Sequence, residues 1–319
     1  MRAGEVELLV VLGANPCYDA PADLDFTAAL QSVPLRVHMG LYADETAGQC
    51  HWHTPEAHFL ESWGDARAAD GTVSIVQPLI APLYGSRSLI ELAACLAGKP
   101  GRSGYELVRE HWQERLSDPR GQGFEKAWRR ALHDGLVAGT ALPARSVVAK
   151  PNAIDVRPLA AAGDDGLAFL FRPDAATWDG RYASNGWLQE CPRPLSKLVW
   201  DNAALIGPAT ARRLGLADGD VVRLTLDGRT VTAPAMVAPG HAEECVTLPL
   251  GYGRRAGGEL GVGVGFDAFA LRGKDAPWQG RGLALEGTGE RHELVTTQLH
   301  HSMEGRDLVR RVEPGGSAY

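Results

Sequence analysis

Apolar positions in the first forty residues fall into two short runs. Glu5 to Leu12 (EVELLVVL) is almost continuously apolar and rich in Val and Leu, which predicts a strand buried on both faces of a parallel sheet. The turn Gly13-Ala14-Asn15-Pro16 follows. Leu24 to Leu30, with Asp23 as N-cap, then predicts a short helix, and Pro34 to Met39 a second strand, completing a β-α-β unit. After a long polar stretch from Gly40 to Gly71, Thr72 to Gln77 reads as a strand. Ser86 to Ala97, Gly104 to Leu116 and Phe124 to Gly135 read as helices, with Trp112 and Trp128 on faces that pack against neighbours.

The pattern changes near residue 143. Pro143 to Gly166, with its prolines and small residues, is the best linker candidate. Beyond it come short β runs: Leu167 to Arg172, Val221 to Leu226, Thr230 to Val237, Val246 to Pro249 and Leu294 to Gln298. A short helix, Pro208 to Leu214, opens on proline and stops at Gly215. The expected organisation is a partial doubly wound α/β layer over residues 1–150, a β-rich barrel domain over 151–300, and a tail over 301–319.

Composition narrows the function classes. A chain of 319 residues has length for two domains, and its formal net charge of −7 argues against a nucleic-acid partner. Its apolar runs are too short to cross a bilayer as a helix, and the first twenty residues carry no signal-peptide pattern. The five cysteines stand far apart without a Cys-x-x-Cys pair, so the sequence encodes neither an iron-sulfur cluster nor a disulfide framework.

Candidate chemistry is sparse. The Gly13-x-Asn15-Pro16 turn ends a strand, where open α/β sheets bind ligands, and Asn15 has the groups to hydrogen-bond one. Cys50, His51, His53 and His58 form the densest group of zinc-type donors, yet Pro55, Glu56, Phe59 and Leu60 suggest a helix start with the histidines as packing or surface residues. His300-His301 would point to opposite faces of an extended segment. Gly261-x-Gly263-x-Gly265 lacks the helix a dinucleotide loop needs, and no hydrolase motif or P-loop is present. No catalytic residue emerges, and no metal site is expected.

Several long stretches resemble one family. Val11 to Phe26 (VLGANPCYDAPADLDF), Leu41 to Gly85 (LYADETAGQCHWH and onward), Trp178 to Val222 (WDGRYASNGWLQECPRPLSKLVW and onward) and Pro239 to Arg272 are similar to the molybdopterin oxidoreductase (DMSO reductase) superfamily, C-terminal half. Within it they look most like the molybdopterin-oxidoreductase-like iron-sulfur subunit of alternative complex III, a quinol-oxidising respiratory assembly. Thr296 to Arg310 looks like the join to that subunit's iron-sulfur domain.

The resemblance implies a third domain in the first half and a double-psi β-barrel, the dinucleotide-binding domain, in the second. It implies that Gly13, Asn15, Thr46, Arg172, Asn185, Asn202 and Asp267 are the cofactor-binding positions, the cofactor being molybdopterin guanine dinucleotide. Two positions depart from the pattern. His38-Met39 stands where cofactor-binding members offer guanine an acid or amide, and Asp267 stands where the branch has Asn. The alternative complex III branch keeps the fold without the molybdenum cofactor.

A parent of this kind is exported by a twin-arginine-type signal, lies on the outer face of the cytoplasmic membrane, and works with the remaining domains or subunits of a respiratory complex. The leading expectation is therefore a fragment or split product of a larger electron-transfer subunit, structural rather than catalytic by itself. The alternatives are the dinucleotide-binding half of an active molybdenum oxidoreductase and a zinc protein built on His51, His53 and His58.

Overall fold

The structure is a computed structural model that describes residues 1–116, 123–150, 166–298 and 306. The chain divides into two compact units, the first holding most of residues 1–161 together with Arg255–Gly258, the second most of 162–319 together with Pro21–Asp23.

The first unit contains two separate sheets. Strands β1 (Leu8–Leu12), β2 (Leu35–Gly40) and β3 (Trp52–Pro55) run parallel in the order β1-β2-β3, with Val10 opposite Val37 and His38 opposite His53. Helices α1 (Pro16–Asp19) and α2 (Phe26–Gln31) connect β1 to β2. Three expectations are corrected here. β1 is an edge strand whose Leu8 and Leu12 are exposed, so it is not buried on both faces. The N-cap position of α2 is Asp25, at φ 45°, rather than Asp23. Pro55 and Glu56 end and follow a strand instead of opening a helix; the β-branched and aromatic content around Trp52 and Thr54 favours pairing with β2.

The second sheet is antiparallel: β4 (Gly64–Arg67), β5 (Val73–Val76) and β6 (Leu136–Val137). The strand read at Thr72 to Gln77 thus belongs to a different sheet from β1 and β2, and the first half is not one continuous parallel layer. Helices α3 (Leu89–Leu96), α4 (Gly104–Leu116) and α5 (Phe124–Asp134) accompany it. Ser88 and Glu91 form a capping box on α3, and α5 stops at Gly135, whose φ of 72° suits only a residue without Cβ strain. Trp112 and Trp128 do pack inward, with Val73, Ile75, Val108 and Val137, and the Trp112 indole N–H donates to Asp65 at 2.8 Å. Residues 151–165 of the expected linker lie outside the described residues.

The second unit is a closed six-stranded barrel in the order β10-β8-β11-β7-β12-β9. Its strands are β7 (Leu167–Arg172), β8 (Ala204–Ile206), β9 (Asp220–Leu226), β10 (Arg229–Val237), β11 (Cys245–Pro249) and β12 (Gln279–Arg291). Two pairings are parallel, β10 with β8 and β11 with β7, and the rest antiparallel. Alternate residues Val222, Leu224 and Leu226, with Leu167, Phe169 and Phe171, are buried, as a barrel with a filled interior requires. Asp227-Gly228, both at positive φ, close the β9–β10 hairpin. Helices α6 (Gly186–Glu190) and α7 (Pro208–Leu214) lie outside the strands, and α7 begins and ends as its proline and glycine require. Leu294 to Gln298 is not a strand of the barrel: it contributes an isolated bridge, Thr296 with Leu198. The long, glycine-interrupted β12 takes the closing position instead.

Candidate functional site

In three neighbouring parallel strands, the residues that follow the carboxyl ends converge, which is where ligands sit in open α/β sheets. Here those residues are Gly13 to Pro16 after β1, Asp44 to Ala47 after β2, and Glu56 after β3. Gly13 adopts φ 59°, and its N–H donates to Met39 O at 2.8 Å, which folds the turn back against β2.

Asn15 is the N-cap residue of α1, but its side chain caps nothing there. Its Nδ2 donates to Glu45 Oε2 at 2.7 Å. Its Oδ1 accepts from Thr46 N at 3.0 Å and from Thr46 Oγ1 at 2.7 Å. Thr46 is fully buried, and its hydroxyl oxygen accepts from Cys17 N at 3.1 Å. Glu45, also buried, uses Oε1 to accept from the backbone N–H groups of Arg255 and Ala256, at 2.7 and 3.1 Å. Asn15 and Thr46 are therefore brought together, with Glu45 bonded to Asn15, while Gly13 shapes the turn that leads into Asn15. Glu45 is not among the sequence candidates, although it stands next to Thr46 in the stretch LYADETAGQCHWH.

A cleft of about 330 Å³ lies beside this network, lined among others by Cys17, Asp44, Glu45, Gln49 and Arg255. Asp44 spends Oδ1 on the backbone N–H groups of Thr46 and Ala47, each at 3.0 Å.

Behind the turn lies a second feature that sequence reasoning missed. His38 is fully buried, and its Nε2 lies 3.2 Å from Ala14 O, a carbonyl that can only accept. In the neutral ring this makes Nδ1 the acceptor, so the His53 Nδ1–H donates across the 3.0 Å that separate the two rings. The rings stack with centroids 5.1 Å apart. Burial, then His38, pushes His53 below the usual histidine range. Burial likewise pushes the Glu56 carboxyl up, with His38 opposing. The signal for this pair was the register of two consecutive parallel strands, which sets residue 38 beside residue 53.

His51, His53 and His58 are not brought together. His51 Nδ1 accepts from Arg36 N, His53 faces His38, and His58 Nδ1 accepts from Leu60 N. Among the described residues no group of three or more His, Cys, Asp or Glu side chains is arranged to hold a metal ion. His300-His301 lies outside the described residues, as does the join read from residue 299 onward except Arg306.

The remaining candidates fall in the second unit. Asn202 is buried and clasps two loops: Nδ2 donates to Pro249 O and Phe266 O, and Oδ1 accepts from Phe266 N at 2.8 Å. Asp267 follows directly and accepts from Phe269 N at 2.9 Å, capping the 3-10 turn Ala268–Leu271. Asn185 caps α6 by accepting from Leu188 N, and Arg172 ends β7 with an exposed side chain. Asn202 and Asp267 are thus neighbours, and each braces backbone.

A pyranopterin dinucleotide would bring a pyrophosphate and a guanine edge. The residues present do not fit it well. Asn15, Thr46 and Asn202 spend their polar atoms within the protein, and the cleft sets two carboxylates, Asp44 and Glu45, against one cation, Arg255, a balance unfavourable to a pyrophosphate. His38 is buried against His53 and Ala14, so both its ring nitrogens are engaged within the protein.

No family model matches the chain. It is 27% identical over 308 residues, 89% of its length, to the molybdopterin-binding-like subunit of menaquinone reductase from Nitratidesulfovibrio vulgaris, and spans 42% of that protein. It is 35% identical over 74 residues, 23% of its length, to the molybdopterin-containing subunit of thiosulfate reductase from Salmonella typhimurium, spanning 10% of that protein. In fold it is similar to acetylene hydratase from Pelobacter acetylenicus, with a TM-score of 0.58 at 16% identity over 88% of this chain and 44% of that one. The chain therefore spans less than half the length of these relatives. In sequence the chain is similar to a molybdopterin-binding-like and a molybdopterin-containing subunit, and in fold to acetylene hydratase.

Proposed function

We propose that the chain is a structural portion of a quinone-linked respiratory electron-transfer complex, acting through protein contacts rather than through a redox centre of its own. The observation that carries this reading is the internal use of the implied ligand residues: Asn15 is tied to both Glu45 and Thr46, and Asn202 clasps the loop at Phe266. The similarity to a menaquinone reductase subunit supports the quinone-linked setting. Alternative complex III is the assembly type to which we assign it, on the outer face of the cytoplasmic membrane. In this reading residues 1–150 correspond to the third domain of the superfamily, 151–300 to a double-psi barrel, and 301–319 to a tail. The pair of parallel strand contacts within an otherwise antiparallel barrel supports the double-psi assignment.

The test is to purify the full chain and measure its molybdenum content, the fluorescence of any oxidised pterin it releases, and quinol-dependent dye reduction. The expected result is no bound pterin and no turnover. Stoichiometric pterin that is lost on Asn15→Ala would overturn the reading in favour of a dinucleotide-binding half-enzyme.

A further inference from the structure

Cys17 and Cys50 lie on different elements of the first unit but are tied to the same turn. The Cys17 N–H donates to the Thr46 hydroxyl oxygen at 3.1 Å, and the Cys50 N–H donates to Ala47 O, also at 3.1 Å. Thr46 is the N-cap and Cys50 the C-cap of the single 3-10 turn Ala47–Gln49. One cysteine is therefore bonded to the start of that turn and the other ends it. Both thiols are free and half-buried.

The two thiols also act on each other. Burial pushes the Cys50 thiol up, and the next cause is Cys17, ahead of Asp44. Burial pushes Cys245 up as well, but no second thiol acts on it. Against the burial of Cys50 stands Arg36, whose guanidinium is fixed by the carbonyls of Gln31, Val33 and Gln49 at 3.0, 2.8 and 2.8 Å. A fixed cation beside a thiol favours its thiolate, the form that attacks and leaves in disulfide exchange. Cys17 lines the cleft, as do Gly48 and Gln49 of the turn, so a small oxidant has an open approach to this pair.

We propose that Cys17 and Cys50 are a redox-active dithiol, which a low-molecular-weight disulfide converts to an internal disulfide stapling α1 to the turn Ala47–Gln49. The Cys17 thiolate attacks one sulfur of the oxidant, forming a mixed disulfide and releasing the first small thiolate. The Cys50 thiolate then attacks the Cys17 sulfur, forming the internal bond and releasing the second. Two protein thiols are oxidised, one small disulfide is reduced to two thiols, and the two protons pass to the thiolates released. Because α1 and the turn both line the cleft, the bond fixes its walls. It also closes the loop from residue 17 to residue 50, which removes freedom from the unfolded chain.

The test equilibrates the purified full chain with oxidised and reduced glutathione at about pH 8, alkylates the remaining thiols and maps the peptides by mass. The expected product is a linked Cys17–Cys50 peptide, with the exposed Cys95 and Cys191 absent from any internal bond. The thermal midpoint of the oxidised chain should rise by at least about 5 °C, and dithiothreitol should reverse the rise. Cys17→Ser and Cys50→Ser should each abolish it. Glutathione adducts at Cys17 or Cys50 without the linked peptide, a different pairing, or no reaction at either residue overturns the proposal, and these outcomes are read from the parent chain whether or not the variants fold. A linked peptide with an unchanged thermal midpoint overturns the staple.

Discussion

Glu45 accepts a hydrogen bond from the side-chain amide of Asn15 at 2.7 Å, and this converts an expected ligand contact into a partner for a buried acid. The same carboxylate anchors Arg255 and Ala256 by their backbone N–H groups. Glu45→Ala removes these acceptors and should cost about 2–3 kcal/mol in urea unfolding, since charged hydrogen bonds carry more than neutral ones. Asn15→Asp sets a second carboxylate against Glu45. It should destabilise at neutral pH and recover as the solution is acidified; a pH-independent effect would show the contact to be unimportant.

Glu243 accepts from the hydroxyl and N–H of Thr210, both at 2.8 Å, at the start of α7. These bonds hold its carboxyl below the usual glutamate range. Because the folded value is the lower one, the stabilisation is complete above the unfolded-chain value of about 4.3 and is lost as the pH falls through the folded value. Urea midpoints measured from pH 6 to pH 3 should therefore fall less steeply for Glu243→Gln than for the parent chain.

Gly263 and Gly265 share left-handed backbone, at φ 74° and 64°, yet differ in surroundings. A Cβ on Gly263 meets open space. One on Gly265 would overlap the Asn202 carboxamide oxygen and come 3.0 Å from the Tyr252 side chain. Gly263→Ala should cost about 1–2 kcal/mol for the backbone alone. Gly265→Ala should cost about 1–3 kcal/mol more, because it dislodges the clasp as well. Equal losses in chemical denaturation would contradict the close approach.

His53 should titrate below the usual histidine range in an NMR pH series, because burial and then His38 oppose its charged form. His38→Asn removes the second cause and should move the titration upward. With the folded value lowered, stability falls as the pH drops through the unfolded histidine value of about 6.5. An unchanged His53 titration in the variant would show that the two rings do not interact.

Periodicity was most informative where one element satisfied itself locally. The helices Gly104–Leu116 and Phe124–Asp134 and the strand Leu167–Arg172 lie where their apolar spacing puts them. It failed where pairing decided the structure. Trp52–Pro55 becomes a strand because Val37 to Gly40 lies alongside it, and Gln279–Arg291 becomes one despite its glycines because β7 and β9 offer it two partners. Val295 and Thr297 show the converse, apolar and β-branched residues left with a bridge and loop contacts. At the candidate site, Gly13, Asn15 and Thr46 were legible as a group from the resemblance. Glu45 and the His38–His53 pair were not, since their roles arise from strand register and from backbone N–H groups more than two hundred residues away in the chain.

The position of β12 has a consequence for biosynthesis. Gln279–Arg291 is the stave between Leu167–Arg172 and Asp220–Leu226, so its first partner is made more than a hundred residues before it. A ribosome that has delivered residues up to 278 has released an open sheet whose two exposed edges match each other's neighbour and any other nascent chain. Closure must wait for the last stave, and loop-closure entropy over such a separation slows it further. This half of the protein is therefore expected to close only once Gln279–Arg291 has been delivered, with Leu167–Arg172 and Asp220–Leu226 each lacking one neighbour until then.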